Sequence, residues 1–358
     1  MSPVRAFRGR HRKPMRKKIL LICGTKNQTT QMHRIAGYLP DYDLYFTPYY
    51  SDGLLNVACQ SGLTEFTVMG RKFSAQCLDY LRRNNLKIDN KGRGGPYDLV
   101  LTCSDLVAPK NIRKTRVVLV QEGMTDPENF GFRLVKAFPF LPRWIASTAA
   151  TGLSHCYDRF CVASEGYRDH FVRKGIDPSR VVVTGIPNFD NCSRFLDNDF
   201  PHKGYVLVCT SDARETFKFD DRKKFIRKAA DIATGRQLIF KLHPNERAPR
   251  AEKEIRSIAP DALIFQAGNT EEMIANCDVL ITQYSSTVYV GLALGKEVHS
   301  YFDIEELRTL LPVQHAKAAR NIAEVCCELI EDRPPQNISR WGRRRPAEAS
   351  AVQRESVN

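Results

Sequence analysis

The chain has 358 residues and a formal charge of +14, from 54 lysines and arginines against 40 aspartates and glutamates. That length exceeds what one ordinary hydrophobic core supports, so two domains are expected, and the charge points to an anionic partner. No uncharged apolar run reaches the roughly 18 residues of a spanning helix, which argues against a transmembrane segment.

The chain opens on MSPVRAFRGRHRKPMRKK, which is basic and lacks the apolar core and small-residue cleavage site of a secretory signal. Residues 1–16 are read as a disordered basic arm. Short β-rich apolar runs then alternate with helical stretches: 17–25, 42–50, 97–105, 115–123, 157–165 and 179–187. A polar, aperiodic break at 188–204 reads as an inter-domain linker. The pattern resumes at 204–212, 236–244, 261–269, 277–286 and 297–303. Continuous Val/Ile/Leu runs suit strands buried on both faces of a parallel sheet, and alternation with helices implies βαβ units. The fold class expected is α/β with two doubly wound Rossmann-like domains, over 17–190 and 204–332. A helix near 316–332 closes the second, and 333–358 is a disordered basic tail. Within the first domain, 132–154 is apolar and aromatic; it reads as a buried helix or as an interfacial patch.

The eleven cysteines are scattered, odd in number and without C-x-x-C. Reduced thiols in the cytoplasm fit that usage, and no zinc site is expected. For the basic tails, nucleic acid, an anionic membrane and phosphate-bearing substrates are the candidate partners; idle solvated charge is the alternative.

In doubly wound folds, ligands bind beyond the C-terminal ends of the strands. Four strand ends carry chemistry. Gly24 and Thr25 open a polar turn before a helix, a point of close backbone approach. Asp105 ends one strand, and Glu122 ends the next at a Gly turn; a partly desolvated carboxylate there has a raised pKa and can act as a general base. His243, fixed by Pro244 in KLHPNE, can donate to a phosphate or protonate a leaving group. Tyr284, Ser285, Ser286 and Thr287 lie between a buried strand and a helix, where hydroxyls and amides hold anions. Each also has a plain reading as a helix cap, a turn residue or a surface histidine. Neither G-x-G-x-x-G nor a GKS/GKT loop is present, which argues against dinucleotide oxidoreductases and P-loop NTPases.

The order QEG, HP, SS/ST resembles bacterial nucleotide-activated transferases of the GT-B fold: capsule polysialyltransferases and related sialyltransferases, and CDP-glycerol glycerophosphotransferases. The likeness runs over residues 97–310, most strongly 236–303. It implies that Glu122 is the base, that His243 contacts the donor phosphate, and that Ser285 and Ser286 hold it. Gln121 stands in place of the first acid of the sialyltransferase motif. Glu122 stands where the glycerophosphotransferase pattern has His, and Gln283 where it has Asp. The chain also resembles UDP-N-acetylglucosamine 2-epimerases, whose Asp and Glu fall on Asp105 and Glu122; their HRREN-like segment falls on SDARET, with Asp212 in place of His.

The function expected is transfer of a sugar or polyol-phosphate group from a nucleotide-activated donor to a hydroxyl on a glycan or lipid-linked acceptor, in cell-surface polysaccharide or glycolipid synthesis. Glu122, His243 and Asp105 are the catalytic candidates. No cofactor, metal or nucleic acid is expected, and the site of action is the cytoplasm or the inner face of the plasma membrane. A sugar-nucleotide epimerase or hydrolase and a non-enzymatic basic surface-binding protein are the alternatives.

Overall fold

The computed structural model describes residues 16–52, 70–128, 130–138, 141–211, 213–214 and 219–331. The basic arm up to residue 15, the tail from 332 and Asp212 lie outside the described residues. Each of the eleven apolar runs contains a strand. The first six are β1 (Lys18–Cys23), β2 (Asp43–Pro48), β3 (Leu99–Thr102), β4 (Arg116–Val120), β5 (Arg159–Val162) and β6 (Val181–Val183). The other five are β7 (Tyr205–Cys209), β8 (Leu238–Lys241), β9 (Leu263–Phe265), β10 (Cys277–Thr282) and β11 (Glu297–His299).

The first six form one sheet in the order β2-β1-β3-β4-β5-β6, the rest a second in the order β11-β10-β7-β8-β9. Neighbouring strands pair in parallel, as β1 does with β2 and β3 and β7 with β8 and β10. Helices between the strands cover both faces, which explains the unbroken apolar runs: all four residues of β3 and all five of β7 are buried. Each sheet reverses its winding at one point, between β1 and β3 in the first and between β7 and β10 in the second. These switch points are where an open α/β sheet leaves a crevice for a ligand.

The closing helix, Ala318–Glu331, departs from the expected boundary. Its apolar face, Ile322, Ala323, Cys326, Leu329 and Ile330, joins the core of the first sheet with Leu21, Leu101 and Val118. A domain drawn by chain order at 204–332 therefore does not follow the packing. The chain crosses between the sheets twice, and the two crossings are latched together. Asp190 accepts the amides of Ala316 and Ala318, both at 2.7 Å, and Gln314 bonds the backbone of Phe189 and Cys192. The start of the 188–204 segment is thus packed, with Phe189, Asp190 and Cys192 buried and residues 193–204 exposed or part-buried.

The 132–154 segment is not one buried helix. It contains the end of a helix, Phe130–Ala137, and a separate 3-10 turn, Arg143–Ala150. The two share a small core of their own: Phe132, Val135, Ala146, Ala149 and Ala150.

Candidate active site

Glu122 stands just past β4, half-buried, with its carboxylate fixed from the next strand end but one. Thr25 Oγ1 donates to Oε1 at 2.8 Å, and the Gln28 amide Nε2 donates to Oε2 at 2.6 Å. Both donors belong to the first turn of the helix Lys26–Ala36, where Thr25 is the N-cap and also accepts the Gln28 backbone amide at 3.3 Å. Burial lifts the Glu122 carboxyl above the usual range, and the bonds from Gln28 and Thr25 bring it part of the way back. A half-exposed carboxylate of raised pKa with a fixed orientation is the arrangement a general base needs.

Gly24 has a steric reason to be glycine. A Cβ built there would lie 1.9 Å from Gln28 Oε1, so the side chain that steadies Glu122 occupies the space a larger residue would fill. Gln28 was not among the residues singled out from sequence. The signal available was the T-x-x-Q spacing of a capping box, 25 to 28, but here the Gln side chain turns to Glu122 and not to its own cap.

Gln121, beside it, is buried and serves the backbone. Its Nε2 donates to the Gly123 carbonyl at 2.8 Å and its Oε1 accepts the Ala163 amide at 2.9 Å. It braces the turn that presents Glu122 and offers no second carboxylate.

Asp105 is placed differently from Glu122. Its buried carboxylate accepts the Gly152 amide at 3.0 and 3.1 Å and the Ser154 amide at 3.1 Å. Those bonds commit it to holding the 152–154 turn, so the structure does not bring it into the cluster around Glu122, and the catalytic candidacy given it from sequence finds no geometric support.

On the second sheet, the His243 amide donates to Thr210 Oγ1 at 3.0 Å, and its Nδ1 accepts the Asn245 amide at 3.3 Å. The second bond assigns the proton of the neutral ring to Nε2, making that nitrogen a donor. Pro244 is exposed. Ser285 Oγ accepts the Thr287 amide at 3.3 Å and lies 2.9 Å from Thr287 Oγ1, so these hydroxyls form one polar cluster. Tyr284 turns outward, edge-on to Tyr301 and Phe302.

Under these two motifs lies a buried ion network that sequence reading missed. Arg222 bonds Asp220 at 2.9 Å and Glu246 at 3.0 Å, and Arg214 reaches Glu246 at 3.4 Å and Glu254 at 2.8 Å. Glu246 accepts Thr210 Oγ1 at 2.5 Å, the hydroxyl that holds the His243 amide. Asp220 accepts Gln283 Nε2 at 2.6 Å, and Gln283 Oε1 accepts Ser211 Oγ at 2.6 Å across the β7/β10 switch point. One guanidinium thus couples the HP turn to the strand end that carries Ser285 and Ser286. Gln283 serves as the neutral partner of Asp220, where a second acid would add a buried negative charge. Nothing in the local sequence announces that the charges meet, because they come from four separate segments.

The two halves of the site come within contact. A methyl group placed on Gly123 would lie 3.8 Å from the Ser286 Cβ. Lys72 Nζ, from the helix Arg71–Arg83 of the first sheet, donates to Asn245 Oδ1 at 3.0 Å, two residues past His243. Tyr167 and Tyr289 join hydroxyls across the interface at 2.6 Å. Gly24, Thr25 and Glu122 thus lie at strand ends of the first sheet and His243, Ser285, Ser286 and Thr287 at strand ends of the second, with Gly123 beside Ser286.

No protein-family model and no curated protein matches the sequence. Solved structures match the fold. S. aureus MnaA in complex with UDP is 14% identical, covers 88% of each chain and has a TM-score of 0.52. The wall teichoic acid polymerase TagF is 12% identical, over 88% of this chain and 89% of its own, with a TM-score of 0.51. The UDP-GlcNAc 2-epimerase of Methanocaldococcus jannaschii is 15% identical, over 87% of this chain and 99% of its own, also at 0.51. At these identities the likeness is one of architecture, and with the sheet order above it establishes a GT-B fold, two Rossmann-like domains across a cleft.

Proposed function

We propose that the protein is a transferase that moves a sugar or polyol-phosphate group from a nucleotide-activated donor to a hydroxyl acceptor, in the synthesis of a cell-surface polysaccharide or glycolipid. The observation that carries this reading is Glu122, an oriented carboxylate of raised pKa, next to Gly123, which lies beside Ser286 of the second sheet. TagF and the UDP-bound MnaA, which share the fold, support a nucleotide-linked donor.

In this mechanism Glu122 accepts the proton of the acceptor hydroxyl as its oxygen attacks the donor. The bond to the nucleotide phosphate breaks, and its electron pair leaves on that phosphate. His243 Nε2–H and the hydroxyls of Ser285, Ser286 and Thr287 stabilise the charge that develops there. Cleft closure excludes water, so transfer outcompetes hydrolysis. Asp105, held by backbone amides, weighs against the two-carboxylate epimerase reading.

The test is a thermal-shift panel of CMP, CDP, UDP and GDP with their sugar and polyol conjugates, because a ligand that binds only the folded state raises its stability by mass action. One nucleotide class is expected to stabilise the protein. Its conjugate, given a hydroxyl acceptor, is expected to be consumed by wild type and not by E122A or H243A. Turnover of UDP-N-acetylglucosamine to an epimer without acceptor would overturn the transferase in favour of the epimerase. Wild-type turnover in both variants would overturn the site.

A further inference from the structure

We propose that Tyr167 and Tyr289 are positioning residues, whose paired hydroxyls hold the Glu122 turn in register with the Ser285–Thr287 cluster. Tyr167 lies on the helix Glu165–Arg173 beside the first sheet, and Tyr289 on the helix Val288–Ala293 beside the second. Their hydroxyls meet at 2.6 Å, and the two residues are 1% and 0% exposed. Each end of the pair is tied to one half of the candidate site. The Thr125 backbone, in the loop that follows Glu122, hydrogen-bonds the Tyr167 hydroxyl. The Tyr289 amide donates to the Ser286 carbonyl at 3.1 Å. Phe189 packs edge-on to Tyr289 and also borders Gly123, so the space between the two halves is filled by the same contacts.

The surroundings of the pair are apolar: Phe171, Phe189, Leu307 and Leu310 belong to the same core. Two phenylalanines would fill this space with no polar atom to satisfy. Replacing both members of a buried hydrogen bond by apolar groups of the same shape is nearly neutral for stability. What the hydroxyls add is one allowed register, because apolar rings tolerate a slide that a short hydrogen bond in a low-dielectric core does not. The joint around them is equally intolerant. A methyl group on Gly166 would lie 1.9 Å from the Thr309 carbonyl oxygen, and Ser164 Oγ donates to the Leu310 carbonyl at 3.1 Å. The start of the Tyr167 helix therefore abuts the backbone of the second unit directly. The register so fixed sets the separation of Glu122 from Ser285 and Ser286. Its use in catalysis rests on the transferase reading, and the register itself does not.

The test compares Y167F, Y289F and Y167F/Y289F in the full chain. Each single variant leaves the other hydroxyl short of a partner and is expected to melt a few degrees lower, with the double variant losing less than the sum of the two. With the CMP, CDP, UDP or GDP conjugate that wild type consumes, all three are expected to lose about tenfold or more in kcat, with KM within a few-fold. Hydrogen exchange needs no turnover. Y289F is expected to speed exchange at 122–126, on the other unit, as well as at 285–290. Recovery of kcat in the double variant would make the pair a matter of packing alone and overturn the proposal. So would wild-type kcat in the single variants, additive losses of melting temperature, or exchange altered only at 285–290. If wild type consumes no conjugate, the transferase reading fails, and the melting and exchange results still decide the register.

Discussion

The amide nitrogen of Gln28 lies 2.6 Å from Oε2 of Glu122, so the first turn of one helix sets the orientation and the proton affinity of a carboxylate on another strand. If Glu122 is the base, activity must rise with pH through a pKa above the usual carboxylate value. Q28L and T25V remove bonds that favour the charged form, so each moves that acid limb to higher pH. E122Q loses about 10²- to 10⁴-fold in turnover. A pH–rate profile of kcat/KM for the three variants checks the order.

The same shift has a stability consequence of opposite sign. A raised carboxyl pKa means that the folded state binds the proton more tightly than the unfolded chain. The associated stability is full below the unfolded value, about pH 4.3, and is lost as pH rises through the folded one. E122Q carries no charge to bury, so its melting temperature should exceed wild type at neutral pH and converge with it near pH 4. Thermal melts across that range measure the difference.

G24A separates fold from site. Its methyl group meets only the end of the flexible Gln28 side chain, which can swing away. The expected result is a small change in melting temperature with an acid limb displaced like that of Q28L. Equal limbs in G24A and wild type would show that Gln28 does not control Glu122.

H243A should lower kcat by about 10²- to 10³-fold, the usual cost of one donor at a developing charge, with little loss of stability. S285A/S286A should act mainly on donor affinity, read by thermal shift against whichever nucleotide stabilises the wild type.

Two buried groups should behave as structure, not chemistry. R222M leaves Asp220 and Glu246 with only the longer contacts to Arg214, at 3.7 and 3.4 Å, and should cost up to about 3–5 kcal/mol in denaturant unfolding. D105A leaves the Gly152 and Ser154 amides without their acceptor and should cost about 1–3 kcal/mol, with kcat within a few-fold of wild type.

The strands were legible in the sequence because most are short β-rich apolar runs ending in a polar turn, and all eleven runs carry one, although β11 has only Val298 as an apolar residue. The partner of Ala318–Glu331 was not, because an amphipathic stripe shows that a helix buries a face but not against which sheet. Asp105 and Glu122 look alike in sequence, each an acid at a strand end. Only the turn folded over Asp105 tells them apart. The charges beneath His243 were illegible for a related reason: the Asp220/Arg222 pair, Glu246 and Gln283 lie on three separate segments, which meet only once β7, β8 and β10 lie side by side.

The return of Ala318–Glu331 to the first sheet also brings the ends of the described chain together, with Lys17 Nζ donating to the Ile330 carbonyl at 3.0 Å. Topologically the unit of the second sheet is an insertion looped out of the other domain on two crossings of backbone. Tension applied at the two ends would therefore load the first sheet and its closing helix before the inserted unit.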